Sequence, residues 1–374
     1  MRTLACACFL WGVVAASFAA VNSVGSFYAC RLALGLAEAP TFPLIITILR
    51  SFHASDGAVG ASYAYVHAST LIASVVGGPL AAAILSMGDR AGLESWRWLF
   101  IIEGIFPMLL SLWIFTLPCS PATAKFLTPQ QRTELTQRVI DARGGTCGGG
   151  ATAKPPKFAE IRDAAWAMLL NWRLWGVGLL ELIGSSGRFG VQFFTPLIIE
   201  RLLEERLGKS ITEKKTAGAV AASAALSAIP FGLAAVGAVV NAAVANRLHH
   251  RKWFIVWPGV VCALGLGVLG PLIERSGTGA FLALVAGAMG FAGYGVVMSL
   301  PSTLVGSSRT ESALGYAHFT MLAMLGGFVG PTILGALTQG SGGNYSLGAW
   351  VLGAMALSST LLYAVFFGWL VPGG

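Results

Sequence analysis

Apolar residues in this 374-residue chain gather into ten stretches, each about as long as a helix needs to span a bilayer. They lie near 4 to 22, 26 to 50, 60 to 86, 96 to 118, 173 to 199, 217 to 245, 253 to 273, 279 to 305, 312 to 338 and 345 to 371. The pattern predicts an all-α membrane protein with ten transmembrane helices. The longest polar piece, 119 to 172, separates four spans from six, and its middle, GGTCGGGATAKPPK, reads as a Gly-rich and then Pro-containing linker. The expected domains are an N-terminal bundle over 1–118, the linker over 119–172 and a C-terminal bundle over 173–374. Inside the linker, Thr128 can cap a helix whose first residue is Pro129 and which ends at Gly144 and Gly145. Leu135, Val139 and Ile140 give it a narrow apolar stripe, so a surface helix is expected, with a plain tether as the alternative.

Polar residues inside the spans change this picture. The stretch FYACRLALGLAEAPTFPLIITILR, 27 to 50, carries Arg31 and Glu38. Seven residues is nearly two turns, so the two side chains leave the helix on one side, about 10 Å apart along its axis. Ionisable groups at membrane depth are expensive and normally face a protein interior or a water-filled cavity. Two readings stay open: a substrate or proton pathway, or a structural arginine beside a neutral glutamate. In the third span, Tyr63, His67, Thr70 and Ser74 recur at four, three and four residues and share one face, which either lines a cavity or packs against another helix. The first span after the linker repeats that spacing with Glu181, Ser185, Arg188 and Gln192. Because the two spans run in opposite directions, Arg188 and Arg31 both stand on the outer side of their glutamates. An intrahelical pair that neutralises itself is the alternative.

Composition agrees with the pattern. With 55% hydrophobic and 11% charged residues and a mean hydropathy of +0.73, the chain is a polytopic membrane protein. Its net charge of +8 sits mostly in short segments between apolar runs, which sets nucleic acid aside as a partner. With the N-terminus inside, fourteen of the 24 Lys and Arg fall on that side and eight on the other, leaving Arg31 and Arg188 within spans. The bias predicts a cytoplasmic N-terminus and linker. The six cysteines show no zinc or disulfide spacing, and neither a nucleotide-binding loop nor a catalytic triad is visible. No cofactor or metal is expected, and the chain is not read as an enzyme. An intramembrane enzyme built on His67, His318 and Glu181 is a minor alternative; His318 is otherwise a packed residue.

The segment RLALGLAEAPTFP resembles the fourth helix of the anion:cation symporters of the major facilitator superfamily, with Arg31, Gly35, Glu38, Ala39 and Pro43 matching the pattern. The run from Trp96 to Arg132 resembles the sixth helix and the start of the central loop. SLPSTLVG (299 to 306) and LGGFVGPTILGAL (325 to 337) resemble the tenth and eleventh helices. The chain departs from the pattern at Thr320 and Met324, where two Asn are usual, at Pro40 for Gly, and at Asn246 for Asp.

The resemblance implies twelve helices in two halves that rock about a central site, so a ten-helix chain is expected to lack the first two family helices. It implies symport of a small organic anion of the carboxylate type, with protons or sodium as coupling ion and the lipid bilayer as surroundings, by a monomer. Arg31 is the candidate anion ligand, helped by Tyr63, His67, Thr70, Arg188, Gln192 and Thr320. Glu38, with Glu181 behind it, is the candidate proton carrier. The alternative is a non-transporting or regulatory membrane protein that lacks half its substrate cavity. Two further apolar spans encoded in frame before Met1 would decide for transport.

Overall fold

The computed structural model describes residues 1–142, 157–207, 217–248, 250–305 and 309–370. Among these the chain is helical throughout, apart from turns. In order the helices are α1 (Arg2–Ser17), α2 (Val24–Glu38), α3 (Thr41–Phe52), α4 (Asp56–Ser86), α5 (Ser95–Ile114), α6 (Pro129–Ala142), α7 (Phe158–Leu169) and α8 (Trp172–Leu207). Then come α9 (Ala217–Leu248), α10 (Arg251–Arg275), α11 (Gly277–Ala288), α12 (Tyr294–Val297), α13 (Pro301–Leu304), α14 (Arg309–Gly340) and α15 (Ser346–Leu370).

Among the described residues, 9 helical segments are long and apolar enough to cross a membrane. They correspond to nine of the ten expected spans. The tenth, expected over 173 to 199, is the 36-residue α8. Its charged residues, Glu181 and Arg188 among them, take it out of the apolar class although its length, about 54 Å, exceeds a bilayer core. Two expected spans are interrupted. The stretch 26 to 50 breaks between α2 and α3, because Pro40 and Pro43 lack the N–H groups that would bond the carbonyls of Leu36 and Ala39. The stretch 279 to 305 passes from α11 through a 3-10 turn, Met289–Gly293, into the short helices α12 and α13. The linker helix forms where expected: Thr128 Oγ1 accepts from Gln131 N (3.3 Å) and Gln131 Oε1 from Thr128 N (3.0 Å), a reciprocal cap on α6. Helix α7 was not anticipated within the linker. Cys147 and the Gly-rich run lie outside the described residues, as do Lys209, Lys214 and Lys215.

Two compact units result. The first comprises Met1–Ser55, Leu80–Trp166 and Gly306–Ala317. In it α1 crosses α5 at glycines: a Cβ on Gly12 would lie 2.6 Å from the Gly104 carbonyl oxygen, and one on Gly104 2.5 Å from Ala16 N. Only hydrogen side chains permit that approach. Arg97 ties the start of α5 to the turn after α1, donating to the Ala19 carbonyl and to Asn22 Oδ1 (2.8 Å).

The second unit comprises Asp56–Pro79, Ala167–Val305 and His318–Gly374. One hydrophobic core in it joins Val191, Ile198 and Ile199 of α8 to Cys262, Leu266 and Leu269 of α10, Leu284 of α11 and Leu352 of α15. Helix α14 lies close on α8 because Gly326 and Gly330 give it room; a Cβ at Gly330 would collide with the Ser186 carbonyl oxygen. Ser185 Oγ donates across that contact to the Ala323 carbonyl (2.8 Å). Helix α10 contains Pro258 and Pro271, which deprive the carbonyls of Phe254 and Gly267 of their helical donors. Side chains replace both. Trp350 Nε1 donates to Gly267 (2.9 Å) and Asn241 Nδ2 to Phe254 (2.8 Å).

Candidate functional site

The second unit holds a buried ion pair. Arg188 Nη2 donates to Glu181 Oε1 on the same helix. Glu181 is 1% exposed and Arg188 9%. Two turns separate their backbones, about 10 Å, and an extended arginine reaching back toward a glutamate covers that distance. The geometry therefore realises the self-neutralising alternative for this pair. It leaves Arg188 Nε buried without an acceptor, and a buried donor so placed is costly unless something else fills it.

Aromatic rings carry the arginine. Its guanidinium carbon lies 5.4 Å from the centroid of the Tyr294 ring at the start of α12. Tyr294 also faces His67 of α4, the ring centroids 4.3 Å apart, and His67 lies 5.7 Å from Phe291. His67 Nε2 is buried with no partner. A small cavity lined by Glu181, Arg188, Cys262, Gly290, Ser359 and Tyr363 adjoins the pair, with room for about one water. Ser359 and Tyr363 fix α15 against α8 by donating to the carbonyls of Leu180 (2.7 Å) and Val177 (3.1 Å).

The other sequence candidates in this unit take different places. Tyr63 is buried one turn before His67, and beside it Ala64 packs on Gly295. Gln192 Nε2 donates to Ser74 Oγ (3.3 Å), joining α8 to α4. Thr70 is exposed and donates back to the Val66 carbonyl (3.5 Å), since the packing side of α4 is the one bearing Ala68 and Leu71. Thr320 is buried with its hydroxyl unpaired. Gly326, two turns on, packs at Ser185, so Thr320 stands about 9 Å further down α14. His318 packs edge-on against Trp175, centroids 4.3 Å apart.

Arg31 and Glu38 belong to the first unit. Arg31 is exposed, its guanidinium carbon 5.0 Å from the Phe27 ring centroid and 5.4 Å from that of Phe18, and it makes no ion pair among the described residues. Glu38 is half-buried and is the last residue of α2, at the proline break. Sequence reasoning missed Tyr294, Cys262 and Asn241. Only Asn241 had a local signal, as a lone amide within AAVGAVVNAAVA.

The sequence profile of the Major Facilitator Superfamily matches residues 1–331. The chain belongs to this superfamily. As a member of the major facilitator superfamily it is a multi-pass membrane protein and a transporter, not an enzyme. A relative from Agrobacterium vitis, provisionally named a tartrate transporter, is 28% identical over 357 residues, covering 94% of this chain and 72% of that protein. The inner membrane transport protein RhmT of Escherichia coli is 24% identical over 327 residues, 87% of this chain and 68% of that one. Among solved structures, the proton:xylose symporter XylE superposes with a TM-score of 0.60 at 15% identity, covering 99% of this chain and 79% of that one. That likeness establishes the fold. The matches thus run along nearly the whole chain and leave part of each longer relative outside them, and the expected absence of two family helices reduces to that statement of coverage.

Proposed function

We propose that this superfamily member is a proton-coupled secondary transporter of a small organic anion of the carboxylate class, of the anion:cation symporter type. Arg188 receives the anion and Glu181 carries the proton. The observation that carries the reading is the buried Arg188–Glu181 bond beside a cavity that takes about one water.

A carboxylate substrate cannot enter while Glu181 occupies the guanidinium. Entry therefore exchanges one carboxylate for another on Arg188, whose planar fork suits either. The released Glu181 is then a buried charge without a partner, which is neutralised most readily by taking up a proton. Pair alone, pair with one monoanion and one proton, or pair with a dianion such as tartrate and two protons, the site carries no net charge, and only such neutral states cross the low-dielectric interior cheaply. Coupling follows from that arithmetic. His67, through Tyr294, and Gln192 complete the proposed anion side. In the first unit, Arg31 and Glu38 are proposed for the same pair of roles; in the second, Tyr63, Thr70 and Thr320 are proposed as further contacts of the anion. The two expected bundles rock about the site, with the linker on the cytoplasmic side.

The name of the Agrobacterium vitis relative makes tartrate the first substrate to try. In proteoliposomes holding the purified chain, an inward proton gradient is expected to drive tartrate accumulation that a protonophore collapses. Absence of both uptake and substrate-induced thermal stabilisation across a panel of carboxylates refutes the reading.

A further inference from the structure

The shape of the platform under Arg188 depends on one amide in a neighbouring helix. Asn241 of α9 is 3% exposed and uses both hydrogens of its side-chain amide. Nδ2 donates to the Phe254 carbonyl of α10 (2.8 Å) and to the Ala292 carbonyl of the 3-10 turn (2.9 Å), while Oδ1 accepts from Trp257 Nε1 (2.7 Å). Two carbonyl acceptors and one indole donor leave no choice about which way the amide points. The Phe254 carbonyl is free for it because Pro258, one turn later, has no N–H. The Ala292 carbonyl belongs to the interruption that turns α11 into α12. In a membrane, irregular backbone persists only where such groups are satisfied from within the protein.

The same interruption carries the pieces of the site. Gly290 lies so close to α10 and α8 that a Cβ would be 2.9 Å from Cys262 Sγ and 3.1 Å from Arg188 Cγ. Phe291 and Tyr294 are the rings that face His67, and Tyr294 is the ring under Arg188. We infer that Asn241 is a positioning residue: it clamps the interruption between α11 and α12 onto the proline-released carbonyl of α10, and so sets the height of the ring platform on which Arg188 meets its anion. This rests on the reading of Arg188 as the anion ligand. Without the clamp the turn relaxes away from α10, Gly290 uncovers Cys262, and Arg188 loses its support without losing its charge.

The experiment uses the purified full chain in proteoliposomes, as wild type, Asn241→Ala, Asn241→Asp and Asn241→Gln. Two quantities are read: the rate of Cys262 alkylation by N-ethylmaleimide, followed by peptide mass spectrometry, and tartrate uptake separated into KM and maximal rate. Cys8, buried in the other unit, reports general loosening. Asn241→Ala is expected to speed Cys262 alkylation about tenfold at an unchanged Cys8 rate and to raise KM about tenfold, with the maximal rate within about twofold. Asn241→Asp, which has at most one O–H for the two carbonyls, does not restore the wild type, and Asn241→Gln, which keeps both donors, recovers part of the loss. An unchanged Cys262 rate, a rise shared with Cys8, or a raised Cys262 rate at wild-type KM overturns the assignment. If the wild type moves no carboxylate, the functional reading fails on its own, and the Cys262 comparison among the four proteins still decides whether Asn241 clamps the turn.

Discussion

Arg188 turns back along α8 to bond Glu181, two turns earlier in the same helix, and both are buried. The pair is closed on itself. Its consequences are best tested one partner at a time, because each substitution leaves a different group without a counterpart.

Glu181→Gln keeps a hydrogen-bond acceptor of the same shape but cannot carry a proton. Proton-driven accumulation of tartrate is expected to vanish, while exchange of labelled for unlabelled substrate continues at a rate within about an order of magnitude of wild type. Accumulation up a proton gradient in this variant would remove Glu181 from coupling. The parallel Glu38→Gln variant assigns the role between the two carboxylates.

Arg188→Lys retains charge and loses the planar fork and the stacking on Tyr294. Tartrate affinity is expected to fall by at least tenfold, about 1.4 kcal/mol, with membrane abundance preserved. Arg188→Ala is a different experiment. It strands Glu181 in the interior, and stability is expected to drop by about 3 to 5 kcal/mol, visible as a lower melting temperature. Wild-type affinity in Arg188→Lys, measured by equilibrium binding, refutes the assignment, and Arg31→Lys in the same assay ranks the two arginines.

The helices were legible in the sequence because apolar runs of bilayer length leave few alternatives. Their interruptions were less so. Pro40 and Pro43 stood in plain view, yet a run with two prolines can bend or break, and only the backbone decides which. The charged pair on α8 was visible by its spacing, but spacing alone could not tell a direct bond from two stacked groups. The same seven-residue interval gives no bond between Arg31 and Glu38 among the described residues. Tyr294 was out of reach, and Asn241 was legible only as a lone amide, for another reason: each owes its place to partners on other helices, His67 for one and the carbonyls of Phe254 and Ala292 for the other.

Glycine contacts give a sharper test of packing than any polar residue. Gly330→Ala forces a Cβ onto the Ser186 carbonyl of α8, and full loss of folded protein by size-exclusion fluorescence is expected. Gly35→Ala is the contrast, since a Cβ there meets nothing within 4 Å although the glycine belongs to the family pattern. Normal abundance for Gly330→Ala would mean that α14 does not lie on α8 as described.

Cysteine labelling decides the orientation. The basic residues around the linker predict that Cys147 is protected from impermeant thiol reagents in intact cells and labelled after permeabilisation. Labelling from outside, read on the Cys147 peptide, reverses the topology.

The length of α8 has an electrical consequence. Glu181 stands nine residues beyond Trp172, about 14 Å along the axis, and Arg188 about 24 Å. With Trp172 at headgroup level, as tryptophans at span ends usually are, the carboxylate lies near the middle of a core about 30 Å thick. A proton reaching it from either side then crosses about half of the membrane voltage, worth about 1.2 kcal/mol for every 100 mV. Loading the carrier is in that case a voltage-sensing step: at a fixed pH difference, an inside-negative potential speeds proton arrival from outside, and a valinomycin-clamped uptake assay reads the depth of Glu181 as the steepness of that response.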